Sequence, residues 1–309
     1  MKINIIIPCY NEQEVLTKTI NVLGQLAAKI KKETEADVQL LLVDDGSKDA
    51  TWSMIKEASK QYSYVSGIKL AHNSGHQNAL WAGLEYSADK CDATVSIDAD
   101  LQDDENTILD MVKQLQQGKD IIYGVRKERE TDSFFKRSTA LLFYKLMQSA
   151  DKDMLYNHAD FRMMSNRAVK ALLQYRERNL FLRGIVRKLG FNEGFVYYDR
   201  KAREAGESKY PLKKMLSFAF DGITSFSVAP LKFVTFIGIA MTLISLCMIV
   251  FSIVKYILGE TIQGWTSILV SLWLIGGGIL TSIGLVGLYI GKIYTEVKQR
   301  PRYFIDEEV

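Results

Sequence analysis

Short apolar runs alternate with amphipathic segments over the N-terminal two thirds of the chain. The runs Ile3–Ile7, Val38–Val43 and Ala93–Ile97 are mostly apolar, and each is followed by residues with helical spacing. Such runs are typical of strands that helices cover on both faces, as in a parallel sheet. The other predicted strands are Val65–Leu70 and Asp120–Gly124, and the predicted helices are Val15–Ile30, Thr51–Gln61, Gln77–Ala88 and Asn106–Gln117. The pattern therefore predicts an α/β domain with a mainly parallel sheet.

Two long uncharged stretches follow this domain, Phe233–Val254 and Thr261–Gly291. At a rise of about 1.5 Å per residue, each is long enough to cross the apolar part of a bilayer. Lysine and arginine flank the pair and are scarce between the two stretches, which predicts a hairpin of two transmembrane helices with both termini in the cytoplasm. A buried helical hairpin in a large soluble core is the alternative.

Three parts are therefore expected along the chain. Residues 1–214 form a cytoplasmic catalytic domain, residues 215–232 an amphipathic juxtamembrane segment, and residues 233–309 the hairpin with a short cytoplasmic tail. The protein is predicted to lie in the plasma membrane as a multi-pass protein. Gly287 and Gly291 form a GxxxG pair that allows close helix approach, which leaves a homo-oligomer, such as a tetramer, and packing within one chain both open.

Charge and cysteine content exclude some classes of function. The formal net charge is only +3, so nucleic acid is not an expected partner. The three cysteines form no CxxC pair, and the three histidines lack the spacing of metal ligands. Neither a disulfide framework nor a zinc site is predicted.

Polar and acidic residues follow the predicted strands. Pro8–Glu12 follows the first, Asp44–Asp49 the second and Asp98–Asp104 the strand at 93–97, while Arg126 comes after the strand at 120–124. Ligands of open parallel sheets bind beyond the carboxyl ends of the strands. The chain has neither GxGxxG nor GxxxxGK[ST]. We expect a nucleotide-sugar site at this edge, without a dinucleotide fingerprint or a P-loop.

The segment Asp98-Ala99-Asp100 carries the chemical prediction. Two carboxylates this close repel one another, and a divalent cation relieves the repulsion. Mg²⁺ or Mn²⁺ prefers oxygen ligands and bridges carboxylates to phosphates. With Gln102 as a further oxygen ligand, these residues predict a metal site that stabilises a departing nucleoside diphosphate.

Four segments together resemble a known family: PCYNE, LLVDDGSKDAT, SIDADLQDD and REAGESKY. They are similar to the polyprenyl-phosphate glycosyltransferases of glycosyltransferase family 2, which include dolichyl-phosphate mannose synthases and bactoprenol glucosyltransferases. The resemblance covers nearly the whole chain. It implies a Rossmann-like fold of the GT-A type, and inverting transfer of glucose or N-acetylglucosamine from a UDP-sugar to undecaprenyl phosphate. It also implies a downstream flippase as a partner and a cell-envelope glycan as the final acceptor.

The resemblance assigns roles to individual residues. Those implied to bind the donor are Pro8, Tyr10, Glu12, Val43, Asp45, Asp98, Ala99, Asp100, Arg126, Arg203 and Lys209. Arg126 is implied to contact a donor or acceptor phosphate, and Arg203 and Lys209 to close over the diphosphate. With Asp100 and Arg126, Asp160 completes the expected catalytic residues. Its position is that of a candidate base, although it could instead orient the acceptor or pair with Arg162.

A further segment, Phe134–Met147, mixes large apolar residues with cations. This composition suits a helix in the membrane interface, where Lys136 or Arg137 could capture the acceptor phosphate. An ordinary surface helix is the alternative. For the whole protein, a processive polysaccharide synthase of the same fold and a non-catalytic membrane scaffold remain alternatives.

Overall fold

The computed structural model describes residues 1–127, 158–178, 180, 182–199, 229–258 and 264–309. The chain forms two compact units. The first comprises Met1–Lys145, Asp153–Pro211 and Arg300–Val309, and the second comprises Leu146–Lys152 and Leu212–Gln299. The C-terminal tail thus belongs to the first unit, whereas the sequence pattern grouped it with the hairpin.

One sheet organises the first unit, and the described residues contribute eight strands to it in the order β7-β5-β6-β4-β1-β2-β3-β8. Pairings β1–β2, β1–β4, β2–β3 and β5–β7 are parallel, while β6 runs antiparallel to β4 and β5, and β8 antiparallel to β3. The mainly parallel α/β sheet is confirmed. The strands are β1 Lys2–Cys9, β2 Asp37–Asp44, β3 Val65–Leu70, β4 Ala93–Ser96, β5 Ile121–Arg126, β6 His158–Ser165, β7 Glu193–Tyr198 and β8 Ile305–Glu308.

Helices join the strands of the first unit. Those described are α1 Leu16–Thr34, α2 Thr51–Gln61, α3 His76–Ser87, α4 Thr107–Gln116, α5 Asn166–Leu172 and α6 Leu182–Arg187. The first four occur where helices are predicted, and their ends differ from the prediction by a few residues at most. The pattern did not indicate α5, α6, β6, β7 or β8, most of which are short.

Both faces of the sheet are covered, which explains the continuous apolar runs. Ile3, Ile5 and Ile7 of β1 belong to one core cluster with α1. On the other face, Gly83 of α3 approaches β1 so closely that a methyl group there would lie 2.3 Å from Cγ2 of Ile6. Helix α3 therefore lies directly on the sheet, and its N-terminus is held at the carboxyl edge of the parallel strands.

The antiparallel strand β6 brings a distant segment to the same edge. Ser96 pairs with Arg162, and Thr94 pairs with Met164. Continuing this register two residues beyond the end of β4 sets Asp160 level with Asp98. The start of β6 therefore lies at the edge where β4 ends, although more than fifty residues separate the two along the chain.

The second unit contains two long helices, α7 Ala229–Ile257 and α8 Trp265–Lys298, at the positions of the two predicted spans. By length and composition, one stretch of the described residues could cross a membrane: Ile275–Lys298, none of which is buried. The two-span topology and the cytoplasmic orientation stay predictions. Nearly all of the predicted juxtamembrane segment lies outside the described residues.

Candidate active site

The turn after β4 presents the two carboxylates of the Asp98-Ala99-Asp100 segment at the edge of the sheet. Ala99 is buried, and its carbonyl accepts a hydrogen bond from the Thr19 hydroxyl at 2.6 Å. Leu101 has φ +50°, a conformation that a non-glycine residue rarely adopts, and the Gln102 backbone N–H donates to Asp100 Oδ1 at 3.2 Å. The turn is therefore tied to α1, which leaves Asp98 exposed and Asp100 half-buried.

Negative charge accumulates around Asp98. The protein atoms packed against its carboxylate raise its pKa, as do Asp103, Asp160 and Asp100, although His76 opposes the shift and half of the side chain is exposed. His76 Nε2 lies 3.6 Å from Asp98 Oδ1. A bound cation would relieve this repulsion, and the oxygen donors of Asp98, Asp100 and the buried Gln102 suit Mg²⁺ or Mn²⁺. Among the described residues, no group of three or more His, Cys, Asp or Glu side chains could hold a metal ion.

Asp160 is the centre of an ion-pair cluster. Arg183 of α6 donates through Nε at 3.2 Å and Nη2 at 3.0 Å to Oδ2, and Gln77 Nε2 donates to the same oxygen at 3.2 Å. Arg162 Nη2 lies 3.4 Å from Oδ1, so the Asp160–Arg162 pair considered from the sequence is present. Burial alone would raise the pKa of Asp160, but Arg183 and Arg162 hold it well below its ordinary value. Asp160 is therefore ionised throughout the physiological range.

Arg126 extends from the end of β5 into a second cluster. Its Nη2 donates to Asp103 Oδ1 at 2.9 Å, and the Tyr198 hydroxyl donates to the same oxygen at 2.6 Å. Asp103 is almost fully buried, and Arg126 is mostly buried. Burial and the Asp103 carboxylate raise the pKa of Tyr198, so its hydroxyl stays protonated. The predicted contact of Arg126 with a phosphate stays a prediction.

The residues after β2 are built into the protein interior. The Asp45 carboxylate accepts the backbone N–H groups of Ser74 at 2.7 Å and Gly75 at 2.9 Å, which holds the turn that begins α3. Asp44 is fully buried, burial raises its pKa, and its Oδ1 has no hydrogen-bond partner among the described residues. An unpaired buried oxygen is costly, so Asp44 joins the candidate donor-binding residues.

The other predicted donor-binding residues differ in exposure. Pro8 and Val43 are register partners in β1 and β2, and Val43 is fully buried, which gives its side chain a packing role. Tyr10 is exposed, and Glu12 follows Asn11, whose φ is +54°. Donor contacts by these residues stay predictions. Lys136, Arg137, Arg203 and Lys209 lie outside the described residues.

Several residues at this edge were not predicted from the sequence, namely Asp44, Gln77, Asp103 and Arg183. Asp44 and Asp103 belong to acidic runs whose neighbouring residues were chosen instead. Gln77 and Arg183 stand in segments without a recognisable motif. Only their contacts with Asp160 mark them as part of the site.

A mainly parallel α/β sheet with clustered carboxylates at the carboxyl ends of its strands has these residues at the edge where ligands of open α/β sheets bind. The family described as "Glycosyl transferase family 2" matches residues 4–173. The chain is 49% identical over 306 residues, covering 98% of this chain and 91% of its relative, to the "Uncharacterized glycosyltransferase YkoT" of Bacillus subtilis (strain 168). This chain belongs to glycosyltransferase family 2.

Two further likenesses extend the comparison. The "Bactoprenol glucosyl transferase" of Shigella phage SfV is 37% identical over 310 residues, covering 100% of this chain and 99% of its own. The resemblance drawn from the four segments is confirmed by this match. The mannosyltransferase PcManGT from Pyrobaculum calidifontis, solved in complex with GDP-Man and Mn2+, is 13% identical and superposes with a TM-score of 0.46, covering 96% of this chain and 85% of its own.

Proposed function

We propose that this chain transfers a hexose, glucose or N-acetylglucosamine, from a UDP-sugar to undecaprenyl phosphate with inversion of the anomeric centre. The observation that carries the proposal is the meeting of Asp98, Asp100 and the Asp160 ion-pair cluster at one edge of the sheet. The full-length likeness to a bactoprenol glucosyl transferase supports a polyprenyl phosphate as the acceptor.

The donor would bind along the ends of β1, β2 and β4. Asp44 Oδ1 is fully buried and has no hydrogen-bond partner among the described residues. The N3–H of a uracil base would donate to it once neighbouring side chains move to admit the base. Asp98, Asp100 and Gln102 would hold Mg²⁺ or Mn²⁺. When bound, the cation would neutralise charge that develops on the departing diphosphate. Arg126, held by Asp103 and Tyr198, would contribute a positive charge to the same edge.

Asp160 is proposed to orient the reacting groups instead of removing a proton. A general base works best when its pKa is near the operating pH, and Arg183 and Arg162 hold the pKa of Asp160 far below that. The acceptor needs little help, because a phosphate monoester has a second pKa near ~6 and is largely dianionic at neutral pH. Position and charge stabilisation would then supply most of the rate.

The C-terminal hairpin would keep the catalytic unit beside the lipid acceptor. The proposal includes two spans in the plasma membrane, both termini in the cytoplasm, and a flippase that carries the product outward for envelope glycan modification. Lys136 and Arg137 are proposed to meet the acceptor phosphate, and Arg203 and Lys209 the diphosphate. A homo-oligomer such as a tetramer is compatible with the exposed glycine-rich face of α8.

The test uses the purified full-length protein with undecaprenyl phosphate, Mg²⁺ or Mn²⁺, and a panel of labelled UDP-sugars. A lipid-sized labelled product from one UDP-hexose is the expected result, and its identity names the sugar. A polymeric product would replace the proposal with a processive synthase. Absence of turnover with every donor would favour a non-catalytic scaffold.

A further inference from the structure

The C-terminal tail, residues 300–309, belongs to the first unit and pairs with strand β3 of its sheet. Strand β8 pairs antiparallel with β3, with Ile68 opposite Glu308 and Lys69 opposite Glu307. The Gly67 N–H donates to the Val309 carbonyl at 2.8 Å, and the Val309 N–H donates back at 2.9 Å. Without the tail, β3 would be an edge strand with unpaired backbone groups; β8 pairs with these groups and becomes the edge strand instead.

Before it reaches β3, the tail contacts α3. The Arg302 guanidinium lies 4.0 Å from the centre of the Trp81 ring, and the Tyr303 hydroxyl donates to Glu85. Trp81 is 2% exposed, so the cation stacks on a ring that is fixed in the core. Helix α3 is thus held at its middle and its C-terminal half, while its first residues, His76 and Gln77, lie at the active-site edge.

Arg302 also holds the chain between α5 and α6. Its Nη2 donates to the carbonyl oxygens of Tyr175 at 3.1 Å and Glu177 at 2.7 Å. One planar guanidinium therefore contacts both α3 and the segment that leads into α6. A lysine could not do the same, because it lacks the planar fork that stacks on a ring and donates in fixed directions.

Besides Arg162 of β6, side chains of these two elements hold the Asp160 carboxylate. Gln77 of α3 and Arg183 of α6 donate to the same carboxylate oxygen, and the Leu182 N–H donates to Gln77 Oε1 at 3.1 Å. We infer that Arg302 is a positioning residue that locks α3 and the 175–177 segment together and thereby fixes the orientation of Asp160. Only three residues separate Arg302 from the end of α8, so the segment that directly follows α8 in the sequence supplies this connection.

The inference concerns the same site as the proposed function and rests on it for its kinetic readout. The experiment compares Arg302→Ala and Arg302→Lys with Arg300→Ala in the full-length protein. Arg300 is the matched control: it is exposed, lies two residues earlier, and has no recorded partner among the described residues. These three variants and the wild type are assayed with undecaprenyl phosphate and the active UDP-sugar, and examined by hydrogen exchange.

Arg302→Ala should lower kcat by about tenfold, from the loss of a stacked cation and two charge-assisted hydrogen bonds, with KM for the UDP-sugar within twofold. Arg302→Lys should recover only a small part of the loss, and added guanidinium ion should recover more. In an Asp160→Asn background the same substitution should change kcat by less than twofold. If the fold-losses in kcat of the two single variants multiply in the double variant, the inference is overturned, because Arg302 would then act independently of Asp160.

Hydrogen exchange tests whether Arg302 joins α3 and the 175–177 segment, and this test does not depend on sugar transfer. In Arg302→Ala, peptides covering 175–187 and 76–84 should exchange about tenfold faster, whereas β1 and β2 should be unchanged. Unchanged exchange at 175–187 would overturn the inference even if the enzyme is active. If the wild-type protein transfers no sugar, the proposed function fails, while the exchange result still decides whether Arg302 joins the two elements.

Discussion

Replacing Asp160 by asparagine tests whether the ion-pair cluster at the sheet edge is as charged as its contacts imply. Arg162 is 2% exposed, and Asp160 is the carboxylate recorded as its ion-pair partner among the described residues. Asp160→Asn leaves the Arg162 charge buried and uncompensated, and such losses cost about 3–5 kcal/mol. Arg183 is about one third exposed, so water compensates part of its loss. The expected loss in the free energy of unfolding is therefore at the lower end of this range, about 3 kcal/mol.

A second substitution separates the charge effect from the chemistry. In Asp160→Asn/Arg162→Met both buried charges are gone, and replacing a whole buried pair by an apolar group is often neutral. The double variant should therefore regain most of the lost stability. Thermal unfolding of the full-length protein in detergent measures this, with an expected drop of roughly 6–12 °C for the single variant at about 2–4 °C per kcal/mol.

The matched control is Asp37→Asn. Its partner is Lys31, and both side chains of that pair are more than half exposed, so no measurable shift is expected. Equal shifts for Asp37→Asn and Asp160→Asn would refute the claim that burial makes the Asp160 pair different. A double variant as unstable as the single one would show that Arg162 is not the source of the cost.

Three other substitutions or conditions test the site. Asp100→Ala should abolish turnover that depends on Mg²⁺ or Mn²⁺, and near-normal activity in the presence of a chelator would reject the metal assignment. Asp44→Asn should raise KM for the UDP-sugar by about tenfold with little change in kcat, since it alters one hydrogen bond to the base; an unchanged KM would remove Asp44 from the donor site. Because the pKa of Asp160 is lowered on folding, its contribution to stability is complete above the ordinary carboxyl pKa near ~4 and is lost as the pH falls below it. Acid unfolding of Asp160→Asn/Arg162→Met should therefore depend less on pH below about 4 than that of the wild type, and equal slopes would contradict this.

Much of the fold was predictable because local pattern and tertiary environment agree. The runs at 3–7 and 38–43 lie between two layers of helices, so every position except Asn4 and Gln39 is apolar regardless of the face it occupies. The acidic segments after these strands were also recognisable as a site. Because the strands are parallel, their carboxyl ends lie at the same edge of the sheet, so the segments that follow them come together. Strand β8 was not predictable, because IDEE carries three acidic residues and forms a strand only by pairing with β3.

The Asp160 cluster shows where sequence reasoning stops. HADFR marked Asp160 as a candidate base, as a group that orients the acceptor or as a partner of Arg162, and the pair forms because residues two apart on a strand point to the same face. Nothing in the chain indicates that β6 runs antiparallel, yet that direction alone brings Asp160 to the level of Asp98. Gln77 lies on a helix before β6 in the sequence, and Arg183 lies on a helix after it. Contacts between residues this far apart produce no recognisable pattern in the sequence.

The same cluster constrains how the site can work. Two arginines hold Asp160 ionised, which makes it a weak proton acceptor. The pKa of the neighbouring Asp98 is shifted in the opposite direction, first by partial burial and then by its acidic neighbours. The edge therefore has a part where two arginines surround one carboxylate and a part where Asp98 has acidic neighbours. Asp98 and Asp100 offer carboxylate oxygens that suit a divalent cation, while Asp160 keeps Arg162 and Arg183 in fixed positions beside it. The difference in pKa between Asp160 and Asp98 therefore depends on the fold, which brings Arg162 and Arg183 to Asp160 and acidic side chains to Asp98.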